Sequence, residues 1–114
     1  MSQHSYADKI ETDTVTILED ETVSSVLKVG GMSLVGLIFP PMAGTTMSIS
    51  GSVDGENFYP LYNDAGDALS FTIQDNSFLL FTPADLSAVR FIKLVAGTLQ
   101  GSNKDIVCVM RALS

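Results

Sequence analysis

The residues best suited to covalent chemistry in this sequence are its one histidine, His4, and its one cysteine, Cys108. A catalytic cysteine needs a general base within hydrogen-bond distance of its sulfur atom. His4 lies in a polar N-terminal segment, whereas Cys108 lies between Val107 and Val109 in an apolar one. These surroundings predict a buried, unreactive thiol, and a single cysteine excludes an internal disulfide. The sequence therefore predicts neither an enzyme nor a cofactor.

Carboxylates are the next candidates, because calcium binds clustered oxygen ligands. Asp54 and Glu56 share one turn, and Asp64, Asp67 and Asp75 surround another. Calcium takes about six or more oxygens from a shaped loop, and the spacing of an EF-hand is missing. A carboxylate pair could also serve as the acid and base of a glycosidase, but short strands leave little room for a cleft. We therefore interpret these carboxylates as solvated side chains of turns, and the sequence predicts no metal site.

Aromatic side chains raise the alternative of carbohydrate binding, because sugar rings stack on exposed aromatic platforms. The candidates are Phe58, Tyr59, Tyr62, Phe71, Phe78, Phe81 and Phe91. Most of them occupy alternating positions that predict packing in the core, and the sequence has no tryptophan. Tyr59 and Tyr62 lie near Pro60, which favours an edge strand. These two tyrosines are therefore kept as candidate platforms for a ligand.

The charge balance argues against nucleic acid and membrane partners. Acidic residues number 13 against 6 lysines and arginines, so the 114-residue chain has a net charge of −7. Nucleic-acid binding needs clustered cations, and the basic residues here are spread along the chain. The most apolar stretch, residues 34–43, falls short of the roughly 20 residues that a spanning helix needs. The first eight residues also lack the basic and apolar regions of a signal peptide.

Alternation of apolar and polar residues predicts strands along most of the chain. The clearest strand is 46–53, and the following Asp54-Gly55 is a strong hairpin signal. Residues 32–39 are apolar at nearly every position, which is typical of a central strand that is covered on both faces. Gly36 within that strand predicts a bulge or a close backbone approach. Such a two-faced strand also indicates that association with other copies completes its burial.

The fold class predicted from these segments is all-β: an antiparallel β-sandwich, jelly-roll-like, of about 8 strands. Strands recur at roughly ten-residue spacing, with at most one short helical turn, at 82–86. The length fits a single domain, which we assign to residues 13–114. Residues 1–21 carry a net charge of −5, and residues 1–12 contain few apolar side chains, so we predict that 1–12 form an N-terminal arm, flexible or docked on a partner. The alternative for this arm is a frayed tail.

Four segments together resemble a known class of viral proteins. The segments are 15–26 (VTILEDETVSSV), 34–40 (LVGLIFP), 52–62 (SVDGENFYPLY) and 89–95 (VRFIKLV). They resemble the small head decoration, or cement, proteins of tailed bacteriophages, which have a jelly-roll form. The resemblance covers residues 13–112, and its motifs are structural ones.

This resemblance implies a homotrimer on the outer surface of the virion, where it clamps neighbouring subunits of the major capsid protein. It implies no catalysis and no cofactor, and it gives the N-terminal arm a role as a strap across the capsid. The same sandwich occurs in tail and fibre components, so a tail-associated or carbohydrate-binding virion module is the alternative. The candidate partner-binding residues are Tyr6, Asp8, Ile10, Glu11, Tyr59 and Tyr62.

Overall fold

The computed structural model describes residues 10–81, 86 and 88–112, and these residues form nine β-strands. The strands are β1 (Ile10–Ile17), β2 (Leu27–Lys28), β3 (Met32–Ile38), β4 (Thr46–Ser52), β5 (Tyr59–Pro60), β6 (Ser70–Thr72), β7 (Phe78–Leu80), β8 (Phe91–Ala96) and β9 (Lys104–Ala112). Apolar residues recur with a period of two, which is typical of strands, and not with the period of 3.6 that indicates a helix. The prediction of an all-β protein is therefore confirmed.

The strands form two antiparallel sheets with the order of a jelly roll. One sheet has the order β1-β9-β3-β7, and the other has the order β2-β8-β4-β5, with β6 also paired to β4. β8 occupies one side of β4, while β5 and β6 pair with successive stretches of its other side. If β5 and β6 count as one position, every connection crosses between the sheets except the one from β4 to β5, and this is the strand order of a jelly roll built from two Greek keys. The predicted jelly-roll-like sandwich is therefore confirmed.

The first strand starts three residues before the position at which the sequence places the domain boundary. β1 pairs with β9 from Ile10, opposite Arg111, to Ile17, opposite Lys104. Its residues 10–14 are exposed on both faces, so the sequence shows no apolar alternation that would indicate a strand there. Residues 10–12 of the expected arm thus belong to the sheet, whereas residues 1–9 lie outside the described part of the chain.

The two inner faces enclose one hydrophobic core. Val15 and Ile17 of β1, Ile49 of β4 and Leu94 of β8 are all almost completely buried. Ile106, Cys108 and Met110 share the inner face of β9, as their spacing predicts. These residues alternate with outward-facing ones, so burial follows the pleat of each strand.

A β-bulge in β3 explains why this strand is apolar on both faces. The register of β3 against β9 shifts between Leu34 and Gly36, so Val35 is the extra residue. As a result Leu34 and Leu37 are both fully buried, although they are three positions apart. The prediction of a bulge close to Gly36 is confirmed.

One buried polar side chain joins two connections between the sheets. Gln100, in the connection from β8 to β9, is completely buried. Its amide oxygen accepts a hydrogen bond from the backbone nitrogen of Ala43 at 3.0 Å. Its amide nitrogen donates to the carbonyl oxygens of Ala43 and Thr98 at 3.1 and 2.8 Å. The loop from β3 to β4 is thereby fixed against the loop from β8 to β9.

Several predicted strands are shorter in the structure. The apolar residues of 22–29 and 58–62 also predict strands, but in the structure these are reduced to β2 and β5. Alternation in 46–53 predicts that Val53 shares a face with Met47 and Ile49, but β4 ends at Ser52, and 68% of the Val53 surface is exposed. The helical turn expected at 82–86 lies outside the described residues, except for Leu86, which is buried.

Candidate interaction surface

The outer face of the β1-β9-β3-β7 sheet carries two rows of residues, each with one member from every strand. Antiparallel partners point to the same face, so the register defines these rows. The first row is Thr12, Val109, Gly36 and Leu80. The second row is Thr14, Val107, Ile38 and Phe78. We call these eight residues the apolar face.

The apolar face is open to solvent at its β7 side. Leu80 is 72% exposed, Phe78 is 54% exposed and Ile38 is 38% exposed. Val109, by contrast, is 8% exposed, although it lies on this outer face and outside the core cluster. Neighbouring side chains therefore cover the middle of the face, while its largest apolar groups remain in contact with water. Contiguous exposed apolar groups of this kind mark interaction surfaces in soluble proteins.

Gly36 shapes this face by leaving space for an aromatic ring. A Cβ atom built on Gly36 would overlap the ring of Phe78 and would lie 3.2 Å from the carbonyl oxygen of Leu79. The ring can therefore lie over the backbone of β3 only because position 36 has no side chain. This is the close approach that the sequence predicts as one reason for the glycine.

Among the residues that the structure describes, the charged ones of this outer face lie beyond the two rows. At one end, Thr16 donates a hydrogen bond from its hydroxyl group to the carboxylate of Asp105 at 2.7 Å. At the other end, Ile10 lies opposite Arg111. Neither row contains an acidic or basic residue, although the chain carries a net charge of −7. The apolar face is therefore an uncharged patch on an acidic protein.

The outer face of the other sheet is more polar. Ser48, Ser50 and Ser52 of β4 lie opposite Val95, Lys93 and Phe91 of β8. The ammonium group of Lys93 lies 4.4 Å from the centre of the Phe58 ring, which is a cation–π contact. The hydroxyl face predicted for β4 is thus observed, with a hydrogen-bonded loop beside it.

That loop accounts for the carboxylate of Asp54. The Asp54 side chain accepts hydrogen bonds from the backbone nitrogens of Glu56 and Asn57, both at 2.9 Å. It also accepts bonds from the Asn57 amide at 2.9 Å and the Ser52 hydroxyl at 2.8 Å. These bonds, the backbone ones first, hold the pKa of Asp54 well below its usual range. The carboxylate closes its own turn, as an Asx motif does.

Tyr59 and Tyr62 are both exposed, but they do not form one platform. Their exposed fractions are 64% and 63%. Tyr59 lines an apolar pocket of about 210 Å³ together with Gly51, Leu61 and Val89. In an extended chain Tyr59 and Leu61 point to one side and Tyr62 points to the other. The two tyrosines therefore stay separate candidate platforms, on opposite sides of this segment.

The remaining candidate partner-binding residues lie at the N-terminal end. Ile10 and Glu11 are exposed residues of β1, and Ile10 continues the outer face beside the apolar face. Tyr6 and Asp8 lie outside the described residues. The structure thus separates Ile10 from the two tyrosines, because β1 and β5 belong to different sheets.

Cys108 is buried in the core, as the sequence predicts. Its sulfur atom lies 3.8 Å from the carbonyl oxygen of Ile106. Burial is the main cause that raises the pKa of the Cys108 thiol to about 12, and the negative charge of Asp13 adds to the effect. Among the described residues, no group of three histidine, cysteine or acidic side chains is arranged to hold a metal ion.

The prediction that most aromatic rings pack in the core is wrong. Phe71 and Phe81 do pack against the core, with ring centres 4.7 Å apart in an edge-to-face arrangement. Phe58, Phe78 and both tyrosines lie instead on outer faces or at edges. Alternation shows that two rings of a strand share a face, but it does not say which face is inside. The apolar character of both parities in 78–81 was the signal that could have indicated an exposed patch.

No protein-family model matches this chain, and no curated protein matches it. Within the described part of the chain, no helix has the length and apolar character required to cross a membrane.

Proposed function

We propose that this protein is a structural component of a bacteriophage virion: a decoration protein that binds the outside of the head and stabilises contacts between major capsid subunits. In this proposal it acts as a homotrimer, has no catalytic role and needs no cofactor. The observation that carries the proposal is the jelly-roll sandwich with an uncharged apolar outer face. The resemblance of its sequence segments to decoration proteins supplies the choice of partner.

The arrangement suits adhesion to a repeating lattice. Its exposed apolar groups lie on a rigid sheet, so little conformational entropy is lost when the faces of several copies cover one another. Three linked copies raise the effective concentration of the second and third contacts, so each contact can be individually weak. The acidic N-terminal segment provides an additional contact in this proposal, as a strap across a capsid subunit.

The test is co-sedimentation with empty shells assembled from the major capsid protein encoded beside the gene for this chain. The full chain is expected to sediment with the shells and to raise their resistance to heat. Failure of the full chain to bind would overturn the proposal, as would the absence of a capsid gene from the neighbourhood.

A truncated variant tests the arm separately. Deletion of residues 2–9 leaves β1 whole, since that strand begins at Ile10. We expect shell affinity to fall by about tenfold or more, which corresponds to roughly 1.4 kcal/mol. The matched control replaces residues 2–9 with a Gly/Ser segment of equal length, and it should lose the same affinity. If the truncated protein binds as tightly as the full chain, the arm has no role as a strap.

A further inference from the structure

We infer that the apolar face is the surface through which copies of this chain associate, with the three faces of a trimer turned towards a common axis. The number of copies rests on the proposed function, whereas the surface and its occupant follow from the sheet itself.

The face has the size of a small interaction patch. Four strands at a spacing of about 4.8 Å give a width of roughly 19 Å. The two rows lie two residues apart along β9, so with half a row spacing on either side they span roughly 13 Å at about 3.3 Å per residue. The projected area of the apolar face is therefore roughly 250 Å², before the relief of the side chains is counted. Contiguous apolar patches of a few hundred Å² on soluble proteins are often functional.

The width of the sheet also fits closure by three copies. A triangle with sides of roughly 19 Å has each side about 5.5 Å from its centre. Sheets that pack face to face lie about 10 Å apart, so each lies about 5 Å from the middle of the shared layer. Three copies can therefore fill the space around the axis with the side chains of the apolar face. Four copies would place each sheet about 9.5 Å from the axis and leave an empty channel.

The distribution of charge favours another copy as the occupant. Each chain has a net charge of −7, so copies repel one another wherever their acidic surfaces meet. The two rows of the apolar face carry no charge. Along β9, Asp105 lies beyond one row and Arg111 lies beyond the other. Contact through this face keeps the acidic loops, such as 63–67, away from the axis. Every copy also exposes the same apolar patch, so each copy can cover the patch of another.

Two leucines provide a matched experiment. Leu80 lies on the apolar face and is 72% exposed, whereas Leu99 lies in the connection from β8 to β9 and is 60% exposed. Light scattering on the wild type at micromolar concentration should give three times the 12.2 kDa mass of the chain. L80E should give the mass of one chain, and L99E should remain trimeric. Circular dichroism should show a folded sandwich for both variants, since both side chains are exposed.

A second substitution at position 80 separates the effect of lost burial from the effect of the added negative charge. L80K lowers the net negative charge, so it should dissociate the trimer only if burial of position 80 is required. A trimeric L80E together with a trimeric L80K would overturn the inference. A monomeric wild type would also overturn it. If the monomer still binds shells and L80E does not, the apolar face contacts the capsid, and the proposed capsid binding stands while the inferred trimer does not.

Discussion

At the scale of single residues, Gln100 shows how a polar side chain can be tolerated in an apolar core. Burial of an amide without partners is strongly unfavourable, because the amide loses its hydrogen bonds to water. Gln100 avoids this loss through its bonds to the backbone of Ala43 and Thr98. It therefore acts as a link between two connections that have no regular pairing with each other.

Replacement of Gln100 tests this role. Q100A leaves the N–H and C=O groups of Ala43 and the carbonyl of Thr98 without these partners, and it also opens a cavity. We expect the free energy of unfolding to fall by about 3 kcal/mol. The measurement is urea denaturation followed by circular dichroism. The control is Q74A, which truncates an exposed glutamine and should change stability by less than about 0.5 kcal/mol. Equal losses in the two variants would contradict the role assigned to Gln100.

At the scale of elements, β4 shows how alternation determines stability. Ile49 is 1% exposed and faces the core, whereas the next residue, Ser50, faces outwards opposite Lys93. β8 pairs with one side of the strand and β5 and β6 with the other. A central strand of this kind contributes mainly through its inner side chains, while an outer hydroxyl group such as that of Ser50 contributes little.

Alanine substitutions at neighbouring positions measure this difference. I49A should lower the free energy of unfolding by about 3 kcal/mol, because it removes buried methylene groups and leaves a cavity. S50A should change it by less than about 0.5 kcal/mol. Thermal or urea denaturation of the two variants is the measurement. A larger effect at position 50 than at position 49 would mean that the inner and outer faces of β4 are assigned the wrong way round.

At the scale of the whole molecule, the apolar face and the net charge of −7 act in opposite directions. Burial of the apolar face favours association of copies, and the repulsion between like-charged copies opposes it. Because the interface contains no charge in its two rows, salt is expected to screen only the repulsion. The trimer should therefore be more stable at higher ionic strength.

Sedimentation equilibrium at two salt concentrations tests this expectation. Between 0.01 and 0.15 M salt, the screening length falls from about 30 Å to about 8 Å. The dissociation constant of the inferred trimer should fall several-fold over this range. An increase in dissociation with added salt would indicate that ion pairs across the interface hold the copies together, contrary to the inferred contact. L99E is a useful control here, since one further acid per chain should make the salt dependence steeper.

The local sequence was enough to predict the class of the fold. The alternation at Val15 and Ile17, the hydroxyl series of β4 and the Asp54-Gly55 turn are each short-range signals. They led to an antiparallel sandwich of about the right number of strands. The same signals missed the start of β1 at residues 10–12, because pairing with β9 there does not need an apolar pattern. They also made β2 too long, since residues 22–26 form only isolated bridges to Ile17 and Val95.

The composition of the apolar face was decided only by the tertiary structure. Leu80, Gly36, Val109 and Thr12 come from four distant parts of the chain, and they become neighbours through the registers of β7, β3, β9 and β1. The period of two determines which residues of one strand share a face, and this can be seen in the sequence. It does not determine which strands lie side by side or which residues are opposite, because that depends on pairings between distant segments and on the bulge at Val35.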